Sequence, residues 1–121
     1  MIKQVLASLA ASALCALATP AFAHALLQHA NPAAGAVVHA SPNALRLTYN
    51  DAVYPDMSDL TIEDAAHHRV SLGALTTADH GVTLVAPLST PLAPGLYHVR
   101  WHAVSQDLHD THGEYIFRVA P

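Results

Sequence analysis

Ten histidines and a single cysteine stand in a chain of 121 residues, so imidazole and carboxylate, rather than thiolate, supply its reactive side chains. Two places concentrate donors. At Asp107-Leu108-His109 a carboxylate and an imidazole are two residues apart, and in extended backbone both side chains leave the same face. The other place is His24, directly behind the small-x-small triplet Ala21-Phe22-Ala23. Cut after Ala23, the chain would begin at His24 with a free α-amine. Amine nitrogen and imidazole Nδ1 of one N-terminal histidine close a chelate ring on a metal, which an internal amide nitrogen does not do until it is deprotonated. The four donors together are three nitrogens and one oxygen, a set that suits tetragonal Cu(II), and the lack of thiolate or thioether weakens any Cu(I) site. Each segment alone also has a plainer reading. Asp-x-His serves as a turn in which the carboxylate accepts backbone hydrogen bonds and the histidine faces solvent, and cleavage of a leader leaves any residue first.

The cleavage expectation rests on residues 1–23. Lys3 gives a positive start, Val5 to Leu17 is an apolar stretch rich in Leu and Ala, and Ala21-Phe22-Ala23 closes it, the layout of a secretory signal peptide. The stretch is shorter than the ~20 residues that span a bilayer, and Pro20 interrupts its end. Ser12 stands where a lipoprotein signal would need Leu before Cys15. Cleavage removes Cys15 and Lys3, leaving residues 24–121 as one domain without thiols, which excludes disulfides and cysteine-based sites. Four arginines against nine carboxylates give a net charge of −5 with histidines neutral. Nucleic acid, which demands basic patches, is thereby disfavoured, and a cation binder is favoured. All ten histidines remain outside the cytoplasm, where copper, zinc and nickel are the imidazole-binding metals to expect, although most of the ten read as surface residues.

Short strands must position these donors. Apolar residues alternate with polar ones at Leu45-Leu47-Tyr49, Leu60-Ile62, Val70-Leu72, Val82-Leu84-Ala86, Tyr97-Val99-Trp101-Ala103 and Tyr115-Phe117-Val119. With His24 to Ala30 as a first strand, about seven strands result, separated by Asn31-Pro32 with Gly35, Ser41-Pro42-Asn43, His80-Gly81 and Pro94-Gly95. That spacing is the pattern of an all-β sandwich. Trp101 falls on the inward row with Tyr97 and Val99, whereas Arg100 falls on the other row, within reach of a carboxylate. Met57 reads as a packing or loop residue. His67-His68 points two ways between strands, a poor joint site, and His112 reads as a solvated histidine with a further reading as an outer or alternate ligand.

The opening His24-Ala25, Asn31-Pro32-Ala33-Ala34-Gly35, Ser41-Pro42 and Leu45 to Tyr49 running into Asp51-Ala52-Val53 resembles the opening of CopC domains. The close, Pro94-Gly95-Leu96-Tyr97-His98-Val99-Arg100-Trp101, Val104-Ser105, Asp107-Leu108-His109, Gly113 and Phe117, is similar to theirs as well. The resemblance implies a Greek-key β-sandwich of the immunoglobulin- or cupredoxin-like kind after the signal peptide, a domain over residues 24–121. It implies a periplasmic, soluble, monomeric Cu(II) carrier or buffer in copper resistance or uptake, and not an enzyme, with His24, Asp107 and His109 as ligands. A CopD-type inner-membrane copper transporter is the protein partner it suggests. Two departures stand out. The methionine-rich Cu(I) loop of some members is reduced to Met57, and Asp110-Thr111-His112 adds a carboxylate and an imidazole after the motif. The alternative function is a copper monooxygenase with an N-terminal histidine site. Such enzymes keep coordination positions open for oxygen, which Asp107 as an anionic donor would fill.

Overall fold

A computed structural model describes residues 25–121 and resolves the alternating rows into two four-stranded sheets. The strands are β1 (Leu27–Asn31), β2 (Val37–Val38), β3 (Ala44–Tyr49), β4 (Asp59–Asp64), β5 (Thr76–Ala78), β6 (Thr83–Pro87), β7 (Gly95–Val104) and β8 (Asp110–Val119), with one 3₁₀ turn at Pro55–Met57. One sheet runs β1-β3-β6-β5 and the other β2-β8-β7-β4. The chain changes sheets after each of β1 to β4 and again after β6, so that β3 pairs with β6 and β4 with β7. That interleaving is the Greek key, and no α-helix occurs among the described residues.

Leu45, Leu47 and Tyr49 of β3 and Leu84 and Ala86 of β6 face Leu60, Ile62, Tyr97, Val99, Ala103, Phe117 and Val119 of the second sheet, all buried. Removing one such large side chain from water stabilises the fold by about 1.5–3 kcal/mol. Tyr97 stacks on Phe117 with centroids 5.7 Å apart, and Trp101 meets Tyr49 edge-on at 5.3 Å. Tyr97 also donates its hydroxyl to the Ala93 carbonyl at 2.6 Å, fixing the entry to β7. Trp101 lies opposite Gly113 in register, and a Cβ on Gly113 would fall 2.6 Å from the indole Cζ2. Glycine is required there because the ring lies across the neighbouring strand.

Six of the seven anticipated strands form. Val70-Leu72 does not: Leu72 makes one isolated bridge to Leu88, and Arg69 just before the segment makes another to Glu63, while the Val70 and Leu72 side chains pack partly buried on the core. A short apolar alternation marks burial, and burial without room for a ladder leaves a loop. Two strands too short to pattern, β2 and β5, bring the number to eight. The part of the expected first strand that includes His24 lies outside the described residues, as does the expected signal peptide.

Candidate metal centre

Strands β7 and β8 pair along their whole length, from Gly95 opposite Val119 to Val104 opposite Asp110. Their connection, residues 105–109, is therefore delivered to one end of the sandwich. The connection is a closed turn and not extended backbone. Ser105 N–H donates to the His109 carbonyl (3.0 Å), Leu108 N–H to the Ser105 carbonyl (2.9 Å), and Leu108 takes φ 66°. Asp107 and His109 meet because the turn folds them together, and the same-face argument for extended backbone does not describe them.

Asp107 uses both oxygens. Oδ1 accepts from the Ser105 hydroxyl and from the His109 N–H (3.2 Å), and Oδ2 lies 3.0 Å from His109 Nδ1. The Ser105 hydroxyl first, and then His109, hold the Asp107 carboxyl down at about 2, because hydrogen bonds to a carboxylate favour its charged form. Ser105 is itself completely buried. It bridges to Val53, and next to it Gln106 N–H donates to the Ala52 carbonyl (3.1 Å). The carboxylate and imidazole thus stand on a turn pinned to the segment that follows β3.

That same segment receives the start of the described chain. Leu26 N–H donates to Asn50 Oδ1 (2.7 Å) and Asn50 N–H returns a bond to the Leu26 carbonyl (3.1 Å). Ala25 is fully buried, and its carbonyl accepts the Thr111 hydroxyl at 2.7 Å. Thr111 is two residues beyond His109, so residue 25 is held at the start of β8, the strand that leaves the Asp107–His109 turn. His24 lies outside the described residues. Among those described, no three His, Cys, Asp or Glu side chains gather as a metal site, so Asp107 and His109 contribute one oxygen and one imidazole and require further donors from elsewhere.

The other sequence candidates separate. His112 is exposed and lies opposite His102 in register, and His102 Nε2 meets Asp110 Oδ2 at 3.1 Å. Arg100 bridges two carboxylates, Glu114 at 3.2 Å and Glu63 at 3.7 Å. His67 and His68 each turn to their own carboxylate, Glu63 and Asp64, at 3.6 and 3.7 Å, with no shared target. Met57 is exposed in the 3₁₀ turn. Sequence reasoning missed Ser105, Asn50 and Thr111. Ser105-x-Asp107 is a recognisable turn signature, but nothing local announces that Thr111 reaches Ala25.

The fold is a small two-sheet β-sandwich with a carboxylate–imidazole pair on the turn between its two longest strands. Residues 27–120 match the model of the CopC domain. The chain is 39% identical over 105 residues to the protein YobA of Escherichia coli K12, covering 85% of each. It is 31% identical over 106 residues to copper resistance protein C of Xanthomonas campestris pv. juglandis, covering 82% of each. Among solved structures it is similar to CopC from Methylosinus trichosporium OB3b (TM-score 0.75, 35% identity, 81% of this chain and 95% of that one). It is also similar to PcoC, a methionine-rich copper resistance protein from Escherichia coli (TM-score 0.72, 27% identity, 80% and 99%). The chain belongs to the CopC family, and with it to copper-binding proteins rather than enzymes.

Proposed function

We propose that the chain is a periplasmic Cu(II) carrier or buffer, its cargo one Cu(II) held by the α-amine and Nδ1 of His24 with Asp107 and His109. The observation that carries this reading is the hydrogen bond from Thr111 to the Ala25 carbonyl. One peptide unit, about 3.8 Å between Cα atoms, separates Ala25 from His24, so the bond favours a terminus within reach of the Asp107–His109 turn. Cleavage after Ala23 is part of the reading, since the amine exists only then. No helix among the described residues is long and apolar enough to cross a membrane, and delivery to a CopD-type transporter in the inner membrane suits a carrier of this kind.

Asp107 has a second reading, favoured by its 3.0 Å contact with His109 Nδ1. A carboxylate at one ring nitrogen orients and enriches the histidine for metal ligation through the other. As a ligand, Asp107 must exchange that contact for the metal; as an orienting group it keeps it. Asp107→Asn separates the two. It retains an oxygen for Nδ1–H, so the loss of affinity is small in the orienting role and large in the ligand role.

The test of the whole reading is a metal titration of residues 24–121 with the N-terminal mass verified. Three nitrogens and one oxygen should take one Cu(II) per chain far more tightly than Zn(II), following the divalent affinity order, with the resonance spectrum of tetragonal copper. Equal competition by Zn(II), or two equally tight Cu(II), would contradict it.

A further inference from the structure

We propose that Thr111 and Asn50 are positioning residues for copper binding, holding the first residues of the mature chain so that both donors of His24 meet the metal at Asp107 and His109. The inference rests on the ligand reading above and concerns two residues outside that ligand set.

A chain terminus is ordinarily frayed, and a ligand that must be ordered at the moment of binding subtracts its lost freedom from affinity. Here residues 25 and 26 are ordered by three hydrogen bonds from two holders. Asn50 takes the Leu26 N–H at 2.7 Å and gives its own N–H to the Leu26 carbonyl at 3.1 Å. Thr111 gives its hydroxyl to the Ala25 carbonyl at 2.7 Å, across 86 residues of sequence.

Both holders are tied to the ligand turn. Two residues after Asn50, the Ala52 carbonyl accepts from Gln106, and Val53 bridges to Ser105. Thr111 follows His109 by two residues on the same strand entry. The segment 50–53 therefore clasps the terminus at one end and the Asp107–His109 turn at the other, and Thr111 closes the clasp from the opposite sheet. Thr111 is β-branched and stiff at χ1, so its hydroxyl is aimed in advance. Ala25 is fully buried, and its carbonyl has lost the option of water, so the bond is costly to forgo.

The test is a double-mutant cycle on the mature protein, read by Cu(II) competition titration. Thr111→Val removes the hydroxyl at nearly constant shape. It should weaken Cu(II) binding about tenfold, equivalent to about 1.4 kcal/mol, and Thr111→Ser should restore it. The second arm removes both His24 donors by adding one N-terminal Gly and replacing His24→Ala. In that background Thr111→Val should leave the residual binding by Asp107 and His109 unchanged, because the coupled partner is gone. Equal losses in both backgrounds, or no loss in the first, would overturn the positioning role while leaving the ligand reading standing. A background protein that binds as tightly as wild type would instead overturn the ligand reading, and this inference with it. Circular dichroism of the metal-free proteins checks folding; should Thr111→Val fail it, Asn50→Ala enters the same cycle with the same expectation.

Discussion

Two histidine–aspartate contacts in this molecule are nearly identical in length, and only one of them belongs to the proposed metal centre. Asp107 and His109 approach to 3.0 Å and His102 and Asp110 to 3.1 Å. Each aspartate is held below its usual carboxylate range, Asp107 first by Ser105 and Asp110 first by His102. Their settings differ. Asp107 and His109 share one turn, closed by Ser105 and pinned to Ala52, with the Ala25 carbonyl tied to Thr111 alongside. His102 and Asp110 sit on two neighbouring strands, on a face where the pattern continues as His98 with Glu114 and Arg100 with Glu114 and Glu63. That row is a ladder of surface side-chain contacts in which Arg100 is the fixed cation, and surface pairs of this kind are each worth little. Proximity of imidazole and carboxylate is common; what distinguishes the first pair is a turn closed by Ser105 and pinned to Ala52, with the Ala25 carbonyl tied to Thr111 two residues further on.

Paired substitutions are the sharpest way to break this comparison. His109→Ala should lower Cu(II) affinity by more than the roughly 10–100-fold that loss of an orienting partner costs, whereas His102→Ala should leave it within about twofold, since exposed pairs contribute about 0–1 kcal/mol. Comparable losses measured by competition titration would erase the distinction between the two pairs. His112→Ala belongs with His102 in this test.

A smaller effect sharpens it through pH. Amines and imidazoles ordinarily release protons between about 6.5 and 8, and metal binding requires their neutral forms. Apparent Cu(II) affinity should therefore fall steeply from about pH 7 to about pH 5, with protons released on binding. Asp107 takes no part in that fall, because its carboxylate stays ionised down to about 2. Its lowered value makes a separate, weaker contribution to folding. That contribution is complete above the ordinary carboxylate value of about 3.9 and is lost as pH falls through about 2. Acid unfolding of the metal-free protein should consequently shift to slightly higher pH in Asp107→Asn; an unchanged midpoint would mean that the turn does not use the charge.

Much of the sandwich was legible because β7 and β8 are long. Tyr97, Val99 and Ala103 alternate with His98, Arg100 and His102, and a period of two over ten residues admits one interpretation. Val70 and Leu72 offered the same period over three residues, too few to separate a strand from a loop packed on the core. β2 and β5, two and three residues long, carried no pattern. The Asp107–His109 pair was legible as chemistry but not as geometry, since Ser105 and the positive φ of Leu108 turn the chain where alternation suggested extension. Thr111 and Asn50 were illegible, because their partners Ala25 and Leu26 come from the far end of the chain and only the completed fold brings them together.

The most direct test of the central claim is a Cu(II) competition titration on the protein beginning at His24 beside the same protein with one Gly added before it. The extension converts the α-amine to an amide, leaves three side-chain donors in place and lies outside the packed rows. Affinity should drop by orders of magnitude with the fold unchanged. Equal affinities would show that the amine is no ligand and would contradict the account.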